Sequence, residues 1–314
     1  MPHTLPTAGV TAVSRQLVHK SAVSEVLLTG YERTGDDTFT VTAQWPRSHS
    51  FYDVVAGWHD PLLVVETVRQ CIPLLSHLGY GAPDDHRQIW DHLTWSVEHE
   101  ALRATTAPPE IHLAVRCRDV VSRGGRPVAM VLTAELLRDG VPLGSATTRF
   151  TSHSPSVIAR LRDPYRKLLS STLPPVSLPA PVPAEHVGRD RPRDVVLAPG
   201  GAPHRFLLRM DGRHPVLFDH ETDHVPGMLL VEAARQAAQA VAHPATARIT
   251  GMDSVFDKYV EFDRVCVIEA EVLSESASGE VSTRVTAVQD GAVAFTAVVT
   301  AHRAPAVDHF ARSY

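Results

Sequence analysis

The sequence predicts an α+β fold built from two copies of one unit, each a long buried helix wrapped by an antiparallel sheet. Three observations predict it: an internal repeat, an apolar helix-forming block in each copy, and strand-like segments closed by matching Asp-Gly turns. Residues 61–70 read PLLVVETVRQ and residues 226–236 read PGMLLVEAARQ. Each block is a proline, an apolar run and then Glu-x-x-Arg-Gln, giving the triplets Glu66, Arg69, Gln70 and Glu232, Arg235, Gln236. Glu66 and Glu232 are 166 residues apart, about half of the 314-residue chain, and the length itself suggests two domains. Histidines recur with the blocks: His59 and His224 just before each proline, His49 and His214 near the start of each unit.

Both blocks are read as helix starts, because proline suits the first helical turn, where its missing N–H would be unpaired anyway. The continuation 228–242, MLLVEAARQAAQAVA, is alanine-rich and almost free of polar surface, the mark of a buried helix. Pro73 is expected to end the first helix early. After the first helix, 109–118, 127–138 and 141–150 are strand-rich, with Asp139-Gly140 as a hairpin turn. After the second, 263–273, 280–289 and 292–301 repeat the pattern around Asp290-Gly291. Segments 22–29 and 38–45 are expected as strands before the first helix, and 204–210 before the second. Between the copies, PSVIARLRDPYRKLLSS is a candidate helix and LPPVSLPAPVP an extended spacer. The expected units are therefore 15–151 and 203–303, with 152–202 as helix and proline-rich linker.

Composition narrows the function classes. Hydrophobic residues make up 44% and charged residues 21%, which permits a sizeable core and excludes wholesale disorder. No apolar run approaches the roughly 18 residues of a membrane helix, and the first twenty residues lack the basic-then-apolar pattern of a secretory signal. A formal charge of −5 and a pI near 6.4 argue against a nucleic-acid binder. Cys71, Cys117 and Cys266 are odd in number and widely spaced, so neither a disulfide framework nor a cysteine zinc site is expected, and a reducing cytoplasm fits. Lysine occurs only at Lys20, Lys167 and Lys258, so 27 of the 30 basic residues are arginine. A GC-rich genome explains that bias, and so does an anionic ligand gripped by guanidinium forks.

A buried helix wrapped by an antiparallel sheet is the hotdog arrangement, and H-x-P-G-x-x-x-x-E at 224–232 resembles the β-hydroxyacyl-ACP dehydratases of that fold. Pro226, Gly227 and Glu232 match those enzymes, but their histidine would fall at Phe218 here, which argues against dehydration. A closer resemblance is to the A-factor biosynthesis hotdog family of γ-butyrolactone (autoregulator) synthases. It is carried by VHKSAVSEVLLTG at 18–30, HDPLLVVETVRQ at 59–70 and FDHETDHVPGMLLVEAARQ at 218–236. The resemblance implies transfer of a β-ketoacyl group from acyl carrier protein to the hydroxyl of dihydroxyacetone phosphate. It further implies that the ester cyclises towards a butenolide phosphate, a precursor of bacterial signalling molecules. It implies no cofactor.

Candidate residues follow from spacing and chemistry. Glu232 lies one turn before Arg235 and Gln236, so the three share a helix face among Ala, Leu and Val, where a solvated surface pair is disfavoured. They are read as a general base beside a phosphate-gripping arginine, and the same reading applies to Glu66, Arg69 and Gln70. The backbone N–H groups of Gly227 and Met228, at a helix N-terminus, would polarise the thioester carbonyl. Residues 220–224 read His-Glu-Thr-Asp-His, a zincin signature, but that chemistry needs a continuous helix. Pro226 and Gly227 make the segment a loop, so no metal is expected, and His220 and His224 are read as structural or substrate-contacting. Cys71 is read as a core residue, because the second copy has Ala237 there and direct transfer needs no acyl-enzyme.

Two rival classes stand beside the acyltransferase. One is an acyl-ligand receptor without catalysis, which has no need of the Glu–Arg pair. The other is a hotdog thioesterase or dehydratase, which needs no phosphate clamp. The expected partners are acyl carrier protein and dihydroxyacetone phosphate, with neither nucleic acid nor membrane, in a pseudo-dimeric monomer or a homodimer. Both copies carry Glu-x-x-Arg-Gln, so the sequence leaves open which half holds the principal site.

Overall fold

The computed structural model describes residues 11–169 and 177–305. The first unit runs β1 (Leu28–Gly35), β2 (Thr38–Gln44), α1 (Leu62–Leu74), β3 (Arg87–Val97), β4 (Glu110–Arg123), β5 (Arg126–Arg138) and β6 (Val141–His153). After α2 (Pro155–Leu169) the second unit runs β7 (Leu197–Ala202), β8 (Arg205–Leu208), α3 (Gly227–Ala242), β9 (Thr246–Phe256), β10 (Cys266–Glu275), β11 (Glu280–Gln289) and β12 (Ala292–Ala304). The strands form one antiparallel sheet in the order β1-β2-β4-β5-β6-β3-β9-β12-β11-β10-β8-β7. Read from either edge, equivalent strands come in the same order. A pseudo-twofold axis therefore passes between β3 and β9, and the chain is a tandem hotdog.

The seam between the units is the β3–β9 pair, with Thr94 opposite Asp253 and Ser96 opposite Gly251. The Thr94 hydroxyl donates to Asp253 Oδ1 at 2.8 Å. A side chain at Gly251 would place its Cβ 2.9 Å from the Trp95 carbonyl oxygen, so the close approach of the two strands requires glycine. These joining strands, like β7, are absent from the sequence reading.

The helices are the cores of their units. Every residue of α1 is buried except Arg69, and α3 is buried from Met228 to Gln239. Burying a Leu or Val side chain contributes roughly 1.5–3 kcal/mol, so these faces drive the wrapping of the sheet. Pro73 has no N–H to offer the Arg69 carbonyl. The α-helix ends at Leu74, and the chain passes into a wider π turn, Leu75–Gly79, where the Ser76 hydroxyl donates to the Ile72 carbonyl at 2.7 Å.

Other expectations shift by a few residues. The expected strand 22–29 is a short 3₁₀ turn, Val23–Glu25, followed by β1. The interval 152–202 holds α2, two 3₁₀ turns (Ala184–Val187 and Pro192–Asp194) and β7. Those turns answer to Arg15–Val18 and Val23–Glu25 in the first unit, so equivalent structure begins well before residue 203. Of LPPVSLPAPVP, residues 173–176 lie outside the described residues, and 177–183 carry no helix or strand. No helix among the described residues is long and apolar enough to cross a membrane.

Candidate active site

A cavity of about 780 Å³ lies where the units meet. The first unit supplies His19, Lys20, Tyr52, Glu66, Arg69 and Pro73, and β3 adds Arg87 and Trp90. The second unit supplies the loop 216–226 and the start of α3, Gly227 and Met228. Ile158, Leu161 and Arg162 of α2 line the mouth. Arg162 holds α2 there through Glu261, at 2.6 and 2.7 Å, and through Asp223 at 3.1 Å.

Glu66 organises the cationic wall. Lys20 Nζ lies 2.9 Å from Glu66 Oε1, and Arg69 reaches both carboxylate oxygens at 3.1–3.2 Å. Gln70 donates to Glu66 Oε1 at 2.8 Å and to the Glu25 carbonyl, and accepts from the Leu27 N–H. Burial pushes the Glu66 carboxyl up, but Arg69 and Lys20 outweigh it and hold the group down to about 2. Glu66 is thus an ionised anchor with its oxygens already occupied. Asp219 of the second unit pins the adjoining loop by accepting from the N–H groups of Ser21 and Ala22 at 2.7 and 3.0 Å.

The second unit repeats this network with one exchange. Gln236 donates to Glu232 and to the Asp194 carbonyl and accepts from the Val196 N–H, as Gln70 does in its own unit. Arg235 reaches Glu232 at 2.8 and 2.9 Å, but Arg189 stands where the first unit has Lys20. The longer Arg189 side chain continues past Glu232 to the Phe51 carbonyl at 2.8 Å and the Asp60 carboxylate at 3.1 Å, with its guanidinium 4.1 Å from the Phe51 ring centroid. Glu232 is fully buried, and Arg189 and Arg235 overcome the effect of burial to hold it down to about 2. Gln239, at the position of Pro73, fills further space against Gly188.

The helix N-termini differ in the same sense. Asp60 Oδ1 accepts from the Leu62 N–H at 2.9 Å and closes the start of α1. Val225 stands in that position before α3, and among the described residues no side-chain hydrogen bond caps the first turn of α3, where Gly227 and Met228 line the cavity. A Cβ on Gly227 would lie 2.8 Å from the Trp90 ring, so the helix start can seat against that indole only as glycine.

Of the residues singled out from sequence, the cavity brings together Glu66, Arg69, Gly227, Met228, His220 and His224. Gln70, Glu232, Arg235 and Gln236 are not among its lining, and the last three lie buried in the equivalent network on the other side of the pseudo-twofold axis. Residues 220–224 are loop, as expected, and His224 Nδ1 lies 2.8 Å from Asp223 Oδ1. His49 and His214 are structural: each Nδ1 accepts two backbone N–H groups, and each Nε2 faces a carboxylate, Glu25 or Asp194, at 3.3 Å. Lys20, His19, Asp219 and Arg189 escaped the sequence reading. Lys20 did leave a signal, as one of three lysines in an arginine-dominated chain.

The geometry can be set beside known proteins. Residues 3–154, and again 171–304, match the A-factor biosynthesis hotdog domain. A 2-oxo-3-(phosphooxy)propyl 3-oxoalkanoate synthase of Streptomyces virginiae is 42% identical over 92% of this chain and 97% of its own. Proteins of the same name from Streptomyces coelicolor and Streptomyces griseus are 39% and 38% identical, over 90% and 94% of this chain and 89% and 97% of theirs. Among solved structures, an acyl-ACP thioesterase from Bacteroides thetaiotaomicron aligns with a TM-score of 0.52 at 10% identity, covering 85% of this chain and 98% of that one. At such identity the likeness concerns the fold alone. The double domain match repeats what the pseudo-twofold axis shows in three dimensions, and the relatives extend over nearly the whole of both units. The chain belongs to the A-factor biosynthesis hotdog family.

Proposed function

We propose that the chain transfers a β-ketoacyl group from acyl carrier protein to the hydroxyl of dihydroxyacetone phosphate. The product is a 2-oxo-3-(phosphooxy)propyl 3-oxoalkanoate, the ester for which its relatives are named. The observation that carries this reading is Arg69. It is the one residue of α1 that is not buried, it lines the cavity, and it stands beside Lys20 on a shared carboxylate, in the same cavity as the start of α3, whose N-cap makes no side-chain capping hydrogen bond. Arg69 and Lys20 hold the acceptor's phosphate dianion, and Glu66 keeps both cations in place. The N–H groups of Gly227 and Met228 receive the developing oxyanion of the thioester carbonyl. His220 and His224 border the same space. The product ester then cyclises towards a butenolide phosphate.

One chain supplies both walls of this site, so a monomeric pseudo-dimer is sufficient, working in a reducing cytoplasm. The catalytic centre is the one at Glu66. The centre at Glu232 is its filled counterpart, kept as a tie between the units. Incubating the purified protein with a β-ketoacyl carrier protein and dihydroxyacetone phosphate should yield a phosphorylated ester, detected by mass spectrometry. Free β-keto acid as the sole product would identify a thioesterase, and an unchanged thioester would identify a receptor.

A further inference from the structure

The reaction requires a group to take the proton from the attacking hydroxyl, and Glu66, ionised at low pH and occupied by Lys20, Arg69 and Gln70, is badly suited to it. His19, one of the histidines that line the cavity, has the geometry for this step. His19 lies beside Lys20 on the cavity wall, with its Nε2 2.9 Å from His77 Nε2. His77 Nδ1 in turn lies 2.9 Å from the Ala82 carbonyl oxygen. A carbonyl only accepts, so His77 Nδ1 carries the proton and His77 Nε2 is the acceptor. His19 Nε2–H must then be the donor, which leaves the lone pair of neutral His19 on Nδ1.

The backbone says the same. His19 ends the 3₁₀ turn Arg15–Val18 in the left-handed region, at φ 52° and ψ 50°. The second unit has the same turn, Ala184–Val187, ended by Gly188 at φ 65° and ψ 40°. Glycine adopts that conformation freely, whereas another residue there is strained. The unit whose centre is filled carries glycine, and the unit with the cavity carries histidine.

We infer that His19 is a catalytic base of the acyl transfer proposed above and that His77 is its positioning residue. The acceptor's O–H bond breaks with its proton passing to His19 Nδ1, as the hydroxyl oxygen bonds to the thioester carbon and the carbonyl π pair moves onto oxygen. Collapse re-forms the carbonyl and breaks the C–S bond, and the departing thiolate takes the proton back from His19, leaving ester and thiol. Burial, reinforced by His77, Arg87, Arg69 and His220, pushes the ring down to about 3, so it is neutral. A phosphate dianion bound among those cations offsets their charge and raises the ring's proton affinity when the acceptor is present.

The test rests on wild type first making the phosphorylated ester; if it makes none, the acyl-transfer reading itself fails. Given that product, His19→Gly is the informative variant, since glycine already occupies the matching turn of the second unit and relieves the backbone. Its kcat should fall by about 10²–10⁴-fold, with the KM for dihydroxyacetone phosphate within about threefold, an unchanged or higher Tm, and partial recovery of kcat on adding imidazole. His77→Gln, which keeps an acceptor and a donor, should retain more kcat than His77→Leu. A kcat within about threefold of wild type in His19→Gly overturns the inference alone. So does a rise in KM that accounts for the whole loss without imidazole rescue, which would make His19 a phosphate ligand.

Discussion

Arg189 Nη1 of the second unit lies 3.1 Å from Asp60 Oδ2 of the first, while Asp60 Oδ1 caps the start of α1 at the Leu62 N–H. This contact ties the two units together on the side of the pseudo-twofold axis opposite the cavity. The guanidinium joins Glu232, the Phe51 carbonyl and Asp60 into one buried cluster. At the matching place Lys20, a compact charge on a flexible stem, stops at Glu66 and leaves the cavity open.

Removing the carboxylate from the filled centre should be a stability defect. Glu232→Gln leaves the Arg235 guanidinium buried without its anion and Arg189 with Asp60 alone, and breaking a buried pair typically costs about 3–5 kcal/mol. Differential scanning calorimetry should show a Tm lowered by several degrees, while kcat/KM of the folded fraction stays within about threefold of wild type. Loss of turnover at unchanged Tm would return Glu232 to the chemistry.

The same carboxylates set an acid limit. Glu66 and Glu232 titrate near 2 in the folded chain against an ordinary 4.5. Folded-state values below the unfolded ones mean that the protein binds fewer protons than the unfolded chain between these pH values. Their stabilisation is complete above about pH 4.5 and is lost progressively as pH falls towards 2. Tm measured from pH 6 to 3 should fall steeply in wild type and less steeply in Glu232→Gln. Equal slopes would show that Glu232 is not held ionised by its arginines.

Gly227→Ala tests the helix start. The added methyl would sit 2.8 Å from the Trp90 ring, so either the indole or the first turn of α3 must shift. Loss of one aligned oxyanion donor costs about 10²–10³ in kcat in other enzymes, and a fall of at least tenfold is expected here with Tm nearly unchanged. Wild-type kcat would show that this N-terminus does not touch the reacting carbonyl.

A thiol intermediate is not part of the scheme. Burial, with Cys117 nearby, pushes the Cys71 thiol well above its ordinary range, and the side chain is fully enclosed in α1. Cys71→Ala should keep kcat within about twofold, and rapid quenching of wild type with acyl donor alone should give no acylated protein by mass spectrometry. An adduct on Cys71 would replace direct transfer with a two-step route.

The repeat made the fold legible, because proline, apolar run and Glu-x-x-Arg-Gln recur around two helices that must be buried. β3 and β9 were not legible. RQIWDHLTWSV mixes polar and apolar residues without clean alternation, and Gly251 in β9 reads as a break until Trp95 is seen against it. Which copy keeps the cavity was equally hidden, since the shared motif is the part that does not differ. The difference lies off the motif, in Lys20 against Arg189, His19 against Gly188, Asp60 against Val225 and Pro73 against Gln239. The pairing of His19 with His77 spans 58 residues and leaves no local pattern at all.

Of two look-alike arginines, Arg69 is the one proposed to bind the acceptor's phosphate, and a paired substitution tests this most directly. Preference for dihydroxyacetone phosphate over dihydroxyacetone, as a ratio of kcat/KM values, is to be measured for wild type, Arg69→Ala and Arg235→Ala. A charged hydrogen bond contributes roughly 1.5–3 kcal/mol, so Arg69→Ala should narrow that ratio about 10–150-fold. Arg235→Ala, which removes a guanidinium enclosed with Glu232, should lower Tm and leave the ratio as in wild type. A ratio that collapses in Arg235→Ala and persists in Arg69→Ala would contradict the account and move the active centre to the second unit.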